Sequence, residues 1–291
     1  MGRIVTRHPV TRVRLGSEPV RRADTLAVEE PLEVRVHGTP LAVTMRTPGH
    51  DAELATGFLV SEGVVASGAE VLGAIHCGGP GTGLSGEPNT YNVLDLTLAP
   101  GVALPSSDIA RNFYTTSSCG VCGKASIEAI ETISRFELHD DETELDAEMI
   151  ARLPERLRAQ QAAFDKTGGL HAAALVDVAS GEMLVVREDV GRHNAVDKVI
   201  GWAAQQGRLP LRGTVLQVSG RASFELVQKA VMAGIPVLSA VSAPSSLAVE
   251  LAVEAGLTLI GFVRDPSMVV YAHPHRLRMP CVGRAAPRAR A

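Results

Sequence analysis

The sequence predicts an α/β protein in which a β-rich N-terminal region precedes a larger α/β core. Three short apolar runs in the last third of the chain alternate with stretches whose apolar residues recur at helical spacing. This order is typical of parallel strands joined by right-handed helical crossovers. In the first third, apolar and polar residues alternate one by one, as in strands that bury one face. We place the β-rich region at 1–105, the α/β core at 106–275 and a basic tail at 276–291.

The charge balance gives no reason to expect nucleic acid or a membrane surface as a partner. The chain has 28 basic and 32 acidic residues and a net charge of -4. No stretch reaches the roughly 18 apolar residues of a membrane span, and the N-terminus lacks the apolar run of a signal peptide. Four cysteines are too few for a disulfide scaffold in 291 residues. We therefore expect a cytoplasmic protein.

Strands surround one helix in the predicted N-terminal region. The predicted elements are a strand at 10–15, a β-hairpin at 32–36 and 41–45, a helix at 50–61 and a strand at 91–98. The glycine-rich stretch 78–89 is not closed by the Gly-Lys-[Ser/Thr] signature of a phosphate-binding loop. We interpret it as a flexible loop.

The predicted core begins with a helix that runs to residue 133 and continues through an acidic connector at 137–148. Its remaining elements are a helix ending near 161, a hairpin at 173–178 and 183–187, a helix at 194–205, strands at 214–218, 236–240 and 257–261, and helices at 222–233 and 245–255. The tail from 276 has five arginines and no acidic residue, and we expect it to be mobile.

Cys119 and Cys122 form a Cys-x-x-Cys pair at the predicted start of the first core helix. Ser117 and Ser118 are good N-cap residues, and apolar residues recur at helical spacing after Lys124. The positive end of the helix and the lysine would lower the pKa of at least one thiol. The pattern therefore predicts a nucleophilic cysteine.

Two other functions of the cysteine pair stay open. A zinc-stabilised binding module could use Cys119, Cys122, His171 and perhaps Cys77, although neither a second Cys-x-x-Cys nor paired histidines are present. A zinc deaminase would need His-x-Glu before Pro-Cys-x-x-Cys, whereas His171 is followed by alanines and comes after the cysteines. A disulfide oxidoreductase would place the pair after the first strand of a compact βαβ unit, which the preceding residues fit poorly.

Three loops are predicted at the carboxyl edge of the parallel sheet, where α/β proteins bind ligands. They span 219–221, 242–246 and 262–267. Two of them place hydroxyl groups at helix starts, and Arg221 and Arg264 could each hold a phosphate through two hydrogen bonds. We expect an anionic, nucleotide-like ligand, although serine and proline at these positions could simply cap helices.

Two histidines lie in segments that are dense in polar groups. His171 is in 167–172 and His193 is in 187–194. From the sequence, each could be an acid-base group, a metal ligand or a structural histidine of the core.

Five motifs together resemble the FdhD/NarQ family of sulfur carriers needed for formate dehydrogenase. The similarity covers roughly 24–275, and the motifs lie at 118–124, 167–173, 187–198, 219–230 and 242–248. The resemblance implies a three-layer, cytidine-deaminase-like α/β core without catalytic zinc. It also implies a homodimer.

An activity also follows from this resemblance. Cys119 would accept persulfide sulfur from a cysteine desulfurase and pass it to the bis-molybdopterin guanine dinucleotide form of the molybdenum cofactor, before insertion into formate dehydrogenase. Cys122 would assist, or would resolve the loaded cysteine by forming a disulfide with it. The protein would act as a sulfurtransferase in the sense of a persulfide carrier, with the cofactor as cargo and no metal of its own. The expected residues for binding the guanine nucleotide are Phe262, Val263, Arg264, Asp265, Pro266, Ser267, Ser219, Gly220, Arg221 and Ser242.

Overall fold

The structure, a computed structural model, describes residues 3–77, 91–103 and 134–278. Cys119, Cys122, the helix predicted after them and the glycine-rich loop lie outside the described residues. The helices are α1 (Asp51–Ser61), α2 (Ala147–Arg158), α3 (Ala162–Thr167), α4 (Arg192–Gln205), α5 (Phe224–Met232) and α6 (Ser246–Glu254). The strands of the N-terminal region are β1 (Val5–Arg12), β2 (Val20–Ala27), β3 (Glu30–Val36), β4 (Thr39–Arg46), β5 (Val71–His76) and β6 (Val93–Leu98). Those of the core are β7 (Leu145–Asp146), β8 (His171–Asp177), β9 (Met183–Asp189), β10 (Thr214–Val218), β11 (Val237–Ala240), β12 (Thr258–Arg264), β13 (Ser267–Ala272) and β14 (Leu277–Arg278).

The main sheet has six strands in the order β13-β12-β11-β10-β8-β9. Strands β10, β11 and β12 are parallel, joined through α5 and α6, which confirms the predicted alternation of strands and helices. The hairpin β8–β9 and the strand β13 extend the sheet on either side with antiparallel pairing. The α/β class is thus confirmed, while the closer likeness to cytidine deaminases stays a prediction.

Helices cover both faces of this sheet. On one face, Ile150 and Leu153 of α2 pack against Val176, Val215 and Val237 of the strands. The apolar residues of α4, α5 and α6 pack on the other face and form one core with those of α1, β3 and β6. Because this core is continuous across the predicted boundary at 105, the two regions share their apolar interior; their division into domains stays a prediction.

Helices α1 and α4 approach each other unusually closely. A Cβ atom on Gly57 would lie 1.8 Å from the backbone oxygen of Asp197, and one on Gly201 would lie 1.8 Å from that of Glu53. Only glycine fits such backbone contact. This contact fixes the N-terminal region against the helix that begins beside the candidate site.

The N-terminal strands differ in how well the sequence predicted them. The hairpin β3–β4 is confirmed, and its turn at His37 and Gly38 has positive φ at both residues, as type I′ turns do. Strand β5 was missed. The strand expected at 10–15 lies earlier in the chain, as β1 (Val5–Arg12). It pairs with β2, which was not expected, and the two form a separate sheet. Both strands are largely exposed and mix polar with apolar residues on each face, so no alternation of apolar residues marks them.

Three boundaries in the core need correction. The helix expected to end near 161 ends at Arg158, and the short α3 follows it. The expected loop 262–267 is mostly strand, because β12 runs to Arg264 and β13 starts at Ser267. The tail begins later than residue 276, since Arg276 is buried and donates to the backbone oxygens of Leu138, Asp141 and Gly256.

No helix in the described ranges is long and apolar enough to cross a membrane.

Candidate functional site

The segments that follow β10, β11 and the body of β12 meet at one edge of the main sheet. The amide of Ser242 donates to the oxygen of Gly220 at 3.4 Å, and the amide of Phe262 donates to the oxygen of Ser242 at 3.3 Å. The structure therefore brings together residues from all three predicted loops. Hereafter the carboxyl edge denotes residues 219–223, 242–245 and 262–264.

Ser219 and Gly220 connect this edge to the neighbouring strand β8. The hydroxyl of Ser219 accepts a hydrogen bond from the amide of Ala172 at 2.9 Å, and its own amide donates to the oxygen of Ala172. A Cβ on Gly220 would lie 3.4 Å from Nδ1 of His171. An alanine at 220 would therefore touch this imidazole ring at an ordinary van der Waals distance.

Arg221 and Arg264 are the two cationic side chains of the carboxyl edge. Both are exposed, and within the described ranges neither guanidinium makes a hydrogen bond or an ion pair to another residue. Both are thus available to hold an anion. By contrast, Ser245 caps α6 by accepting from the amide of Ala248 at 3.3 Å, so the alternative of plain helix capping is correct for this serine.

Phe262 combines an unusual backbone with an exposed ring. Its φ is +50°, in the left-handed region that residues other than glycine seldom adopt, and its side chain is 46% exposed. Such strained residues cluster at functional sites, and an exposed aromatic ring offers a flat apolar surface. Its neighbour Val263 is fully buried in the core, so this predicted site residue offers no exposed surface to a ligand. Ser267, at the start of β13, is exposed.

A histidine and a carboxylate lie beside the same edge. Nε2 of His193 is 3.4 Å from Oγ of Ser223 and 3.7 Å from Oε2 of Glu225. Hydrogen bonding from His193, and further from Ser223, lowers the pKa of Glu225 to about 2, although burial acts in the opposite direction. Since both partners face the same imidazole nitrogen, the group lacks the geometry of a Ser-His-acid relay, in which the two nitrogens have different partners.

His171 is the second histidine of the site. Burial, together with the charges of Arg192 and His193, lowers its pKa, which favours the neutral imidazole. His171 and His193 were predictable from the sequence, and Arg192 lies within the same predicted segment 187–194. Ser223 and Glu225 were not predicted. Their closeness in sequence to the predicted loop 219–221 was the available signal, because side chains next to a ligand loop often complete the site.

A buried polar network fixes the start of α4 beneath these histidines. Asp189 is fully buried and accepts hydrogen bonds from Nζ of Lys198 at 2.7 Å, the amide of Thr47 at 3.1 Å and the amide of Gly191 at 2.8 Å. Nδ2 of Asn194 donates to the same carboxylate at 3.0 Å. We call Asp189, Lys198, Thr47, Gly191 and Asn194 the buried network. Because Gly191 and Asn194 lie on either side of residues 192–193, the network anchors the backbone from which His193 extends.

Neither cysteine of the predicted catalytic pair belongs to the described residues, so the structure does not place Cys119 or Cys122 relative to the carboxyl edge. Cys77, the third possible zinc ligand, follows β5, and its amide donates to the oxygen of Val93. Among the described residues, no three His, Cys, Asp or Glu side chains are grouped so that they could hold a metal ion.

Comparison with known proteins gives one consistent result. A family model described as the FdhD/NarQ family matches residues 27–278. The sulfur carrier protein FdhD of Streptomyces avermitilis is 59% identical over 96% of this chain and 98% of its own length. That of Mycolicibacterium paratuberculosis is 58% identical over 94% and 99%. A formate dehydrogenase accessory protein from Desulfotalea psychrophila has a similar crystal structure, with a TM-score of 0.73, 21% sequence identity and coverage of 95% of this chain and 100% of that one.

Proposed function

The chain belongs to the FdhD/NarQ family, and we propose that it is a sulfur carrier that accepts sulfur on Cys119 and delivers it to a molybdenum cofactor destined for formate dehydrogenase. The proposal has two parts. The cysteine pair handles the sulfur, and the carboxyl edge holds the guanine nucleotide of the cargo. A cysteine desulfurase is the donor.

Loading is an exchange at sulfur. The thiolate of Cys119 attacks the outer sulfur of the donor's persulfide, the donor's S–S bond breaks, and the donor cysteine leaves as a thiolate. Cys119 then carries the persulfide. The sequence supports this role, because serines suited to a helix N-cap precede Cys119 and Lys124 follows it, and both features favour a thiolate.

Delivery transfers the outer sulfur of the persulfide from Cys119 to the cofactor. The S–S bond of the Cys119 persulfide breaks, and its electron pair stays on Cys119 as a thiolate. The molybdenum centre of the cargo supplies the two electrons that reduce the transferred sulfur to the sulfide level, and this sulfur becomes a sulfido ligand. Such a step needs the cargo held in place, since positioned reactants avoid much of the entropic barrier of a bimolecular step.

The proposal that the carboxyl edge binds the guanine nucleotide rests on the convergence of the three segments there. Arg221 and Arg264 contribute two cations with no partner among the described residues, and Phe262 contributes an exposed ring. Phosphate groups pair with guanidinium groups, and a purine base stacks on an aromatic ring. We infer that the diphosphate contacts the arginines and that the base lies against Phe262.

Intact-mass spectrometry tests the sulfur part. After incubation with a cysteine desulfurase and cysteine, the protein should gain the mass of one sulfur atom, and Cys119→Ser should abolish this gain. Cys122→Ser should load normally or more weakly, and Cys77→Ser is the matched control that should load normally. Equal loading of the wild type and Cys119→Ser would overturn the assignment of Cys119. Stoichiometric zinc that is lost in Cys119→Ser would favour the zinc-stabilised module.

A further inference from the structure

Arg192, the first residue of α4, is a cation that the proposed nucleotide site does not use. Its side chain is half-buried, and its Nε atom is shielded from solvent without a hydrogen-bond partner. Within the described ranges, the other nitrogens of this guanidinium make no hydrogen bond or ion pair either. Buried donors in folded proteins almost always have a partner, so the orphaned Nε indicates a missing acceptor. For a guanidinium, the strongest acceptors are anions.

His171 links Arg192 to the carboxyl edge. It is the first residue of β8, and a Cβ atom on Gly220 would lie 3.4 Å from its Nδ1. Burial, and then the charges of Arg192 and His193, lower the pKa of His171, so the guanidinium of Arg192 is near this ring. A neutral imidazole keeps one N–H donor, and none of the described residues makes a hydrogen bond with the ring. Two free donors therefore lie next to each other.

Two helices begin beside these donors. No side chain caps the N-terminus of α4, and its first turn contains no acidic residue. The start of α5 is adjacent, because Nε2 of His193 lies 3.4 Å from Oγ of Ser223, the N-cap of α5. This serine makes no capping hydrogen bond. Amides at the start of a helix carry partial positive charge, so both helices favour a bound anion.

Two carboxylates lie close to this position, but both already have donors. Asp189 is fully buried and bound within the buried network. Glu225 is ionised, since hydrogen bonds from His193 and Ser223 lower its pKa to about 2 despite its burial. Among the described side chains here, those left unpaired are thus the donors Arg192 and His171.

The order of the strands separates this position from the arginines of the nucleotide site. Arg264 ends β12, and the strands β11 and β10 lie between β12 and β8. Neighbouring strands are about 4.8 Å apart, so β12 is about 14 Å from β8. A diphosphate held between Arg221 and Arg264 lies on the β11 side of the edge, whereas Arg192 lies on the β8 side.

We propose that Arg192, His171 and the start of α4 form a second anion subsite, which binds a phosphate-class dianion separately from the diphosphate of the nucleotide. The inference rests on the proposed function, because it adds an anchor beside the same site. A bis-molybdopterin guanine dinucleotide has two diphosphates, so the second of them is one source of the anion. Free inorganic phosphate is the other source.

Calorimetric titration of the full-length, GDP-saturated protein with pyrophosphate and with inorganic phosphate tests the proposal. Pyrophosphate should bind the wild type at one site per chain without displacing GDP. Arg192→Gln should weaken this binding about tenfold or more, because a charge-assisted contact is lost. Arg192→Lys keeps the charge and should weaken it less. Tighter binding of pyrophosphate than of inorganic phosphate would identify a diphosphate as the natural group, and equal affinities would identify a single phosphate.

Arg208→Gln is the matched control, because it changes an exposed arginine away from this position and should bind pyrophosphate like the wild type. Circular dichroism checks that all three variants fold. The proposal is overturned if pyrophosphate fails to bind the GDP-saturated wild type, displaces GDP, or binds Arg192→Gln as tightly as the wild type. A wild type that does not bind GDP would instead overturn the nucleotide part of the proposed function, and pyrophosphate titration of the GDP-free proteins would still test Arg192.

Discussion

The buried network and the carboxyl edge show two different uses of charge in one molecule. In the buried network, Lys198 and Asp189 are almost completely buried, and each has several hydrogen-bonding partners. At the carboxyl edge, Arg221 and Arg264 are exposed and have no partner among the described residues. Charges that a fold already satisfies hold it together, whereas charges left unpaired on converging segments are available to a ligand.

The largest expected effect lies in the buried network. Lys198→Met should destabilise the protein by about 3 to 5 kcal/mol, because the change leaves a buried carboxylate without its cation. Urea unfolding followed by circular dichroism measures this loss. Lys166→Met, at an exposed lysine of α3, should change the stability by less than about 0.5 kcal/mol. Equal stabilities of the two variants would show that the buried pair is not structural.

Glu53 and Glu225 are acidic side chains that differ in burial, and the pKa of each carboxyl is lowered to about 2. Burial would raise the pKa of Glu53, but hydrogen bonds from Arg187 and His50 outweigh it. A lowered pKa means that the stabilisation is complete above about pH 4.5 and is lost as the pH falls towards 2. Arg187 binds Glu53 at 2.6 and 2.8 Å in a mostly buried pair, so Glu53→Gln should cost about 2 to 3 kcal/mol at pH 7.

Glu225 should contribute less, since its side chain is 36% exposed and solvent screens its pairing with His193. Glu225→Gln should cost less than about 1 kcal/mol at pH 7. Unfolding free energies measured from pH 7 down to pH 3 should therefore converge for the wild type and Glu53→Gln, with a smaller convergence for Glu225→Gln. A difference that stays constant with pH would contradict the assigned pKa shifts.

The sequence predicted the elements better than the contacts between them. Alternating residues marked β3 and β4, and apolar runs between amphipathic stretches marked β10, β11 and β12, because burial of one or both faces leaves a local pattern. The bond from Thr47 to Asp189 joins residues 142 positions apart, and no local pattern reports it. No local pattern reports the contacts of Ser223 and Glu225 with His193 either.

The carboxyl edge was predictable in part for the same reason. Parallel strands place their carboxyl ends together, so three segments distant in sequence could be assigned to one edge. The sequence did not show that Phe262 and Arg264 belong to a strand, because the short run before them resembles a complete buried strand. It also did not show which serines cap helices, since Ser245 does so and Ser223 faces His193 instead.

Substitutions at the carboxyl edge should weaken ligand binding and leave the stability of the protein unchanged. Arg221→Gln and Arg264→Gln should each leave the unfolding free energy within about 0.5 kcal/mol of the wild type, because neither guanidinium has a partner to lose among the described residues. Loading of Cys119 should be unchanged in the mass assay, while delivery, followed as formate dehydrogenase activity, should fall. Parallel loss of loading and delivery in both variants would show that these arginines serve the thiol or the desulfurase instead.

Calorimetric titration with GDP tests whether the two arginines of the carboxyl edge hold a guanine nucleotide. GDP should bind the wild type, and the affinity should fall about 10 to 100 fold in Arg221→Gln and in Arg264→Gln, since a lost charge-assisted contact costs about 1.5 to 3 kcal/mol. Arg208→Gln, at an exposed arginine away from this edge, should bind like the wild type. No binding of GDP to the wild type, or equal affinity in all four proteins, would contradict the claim.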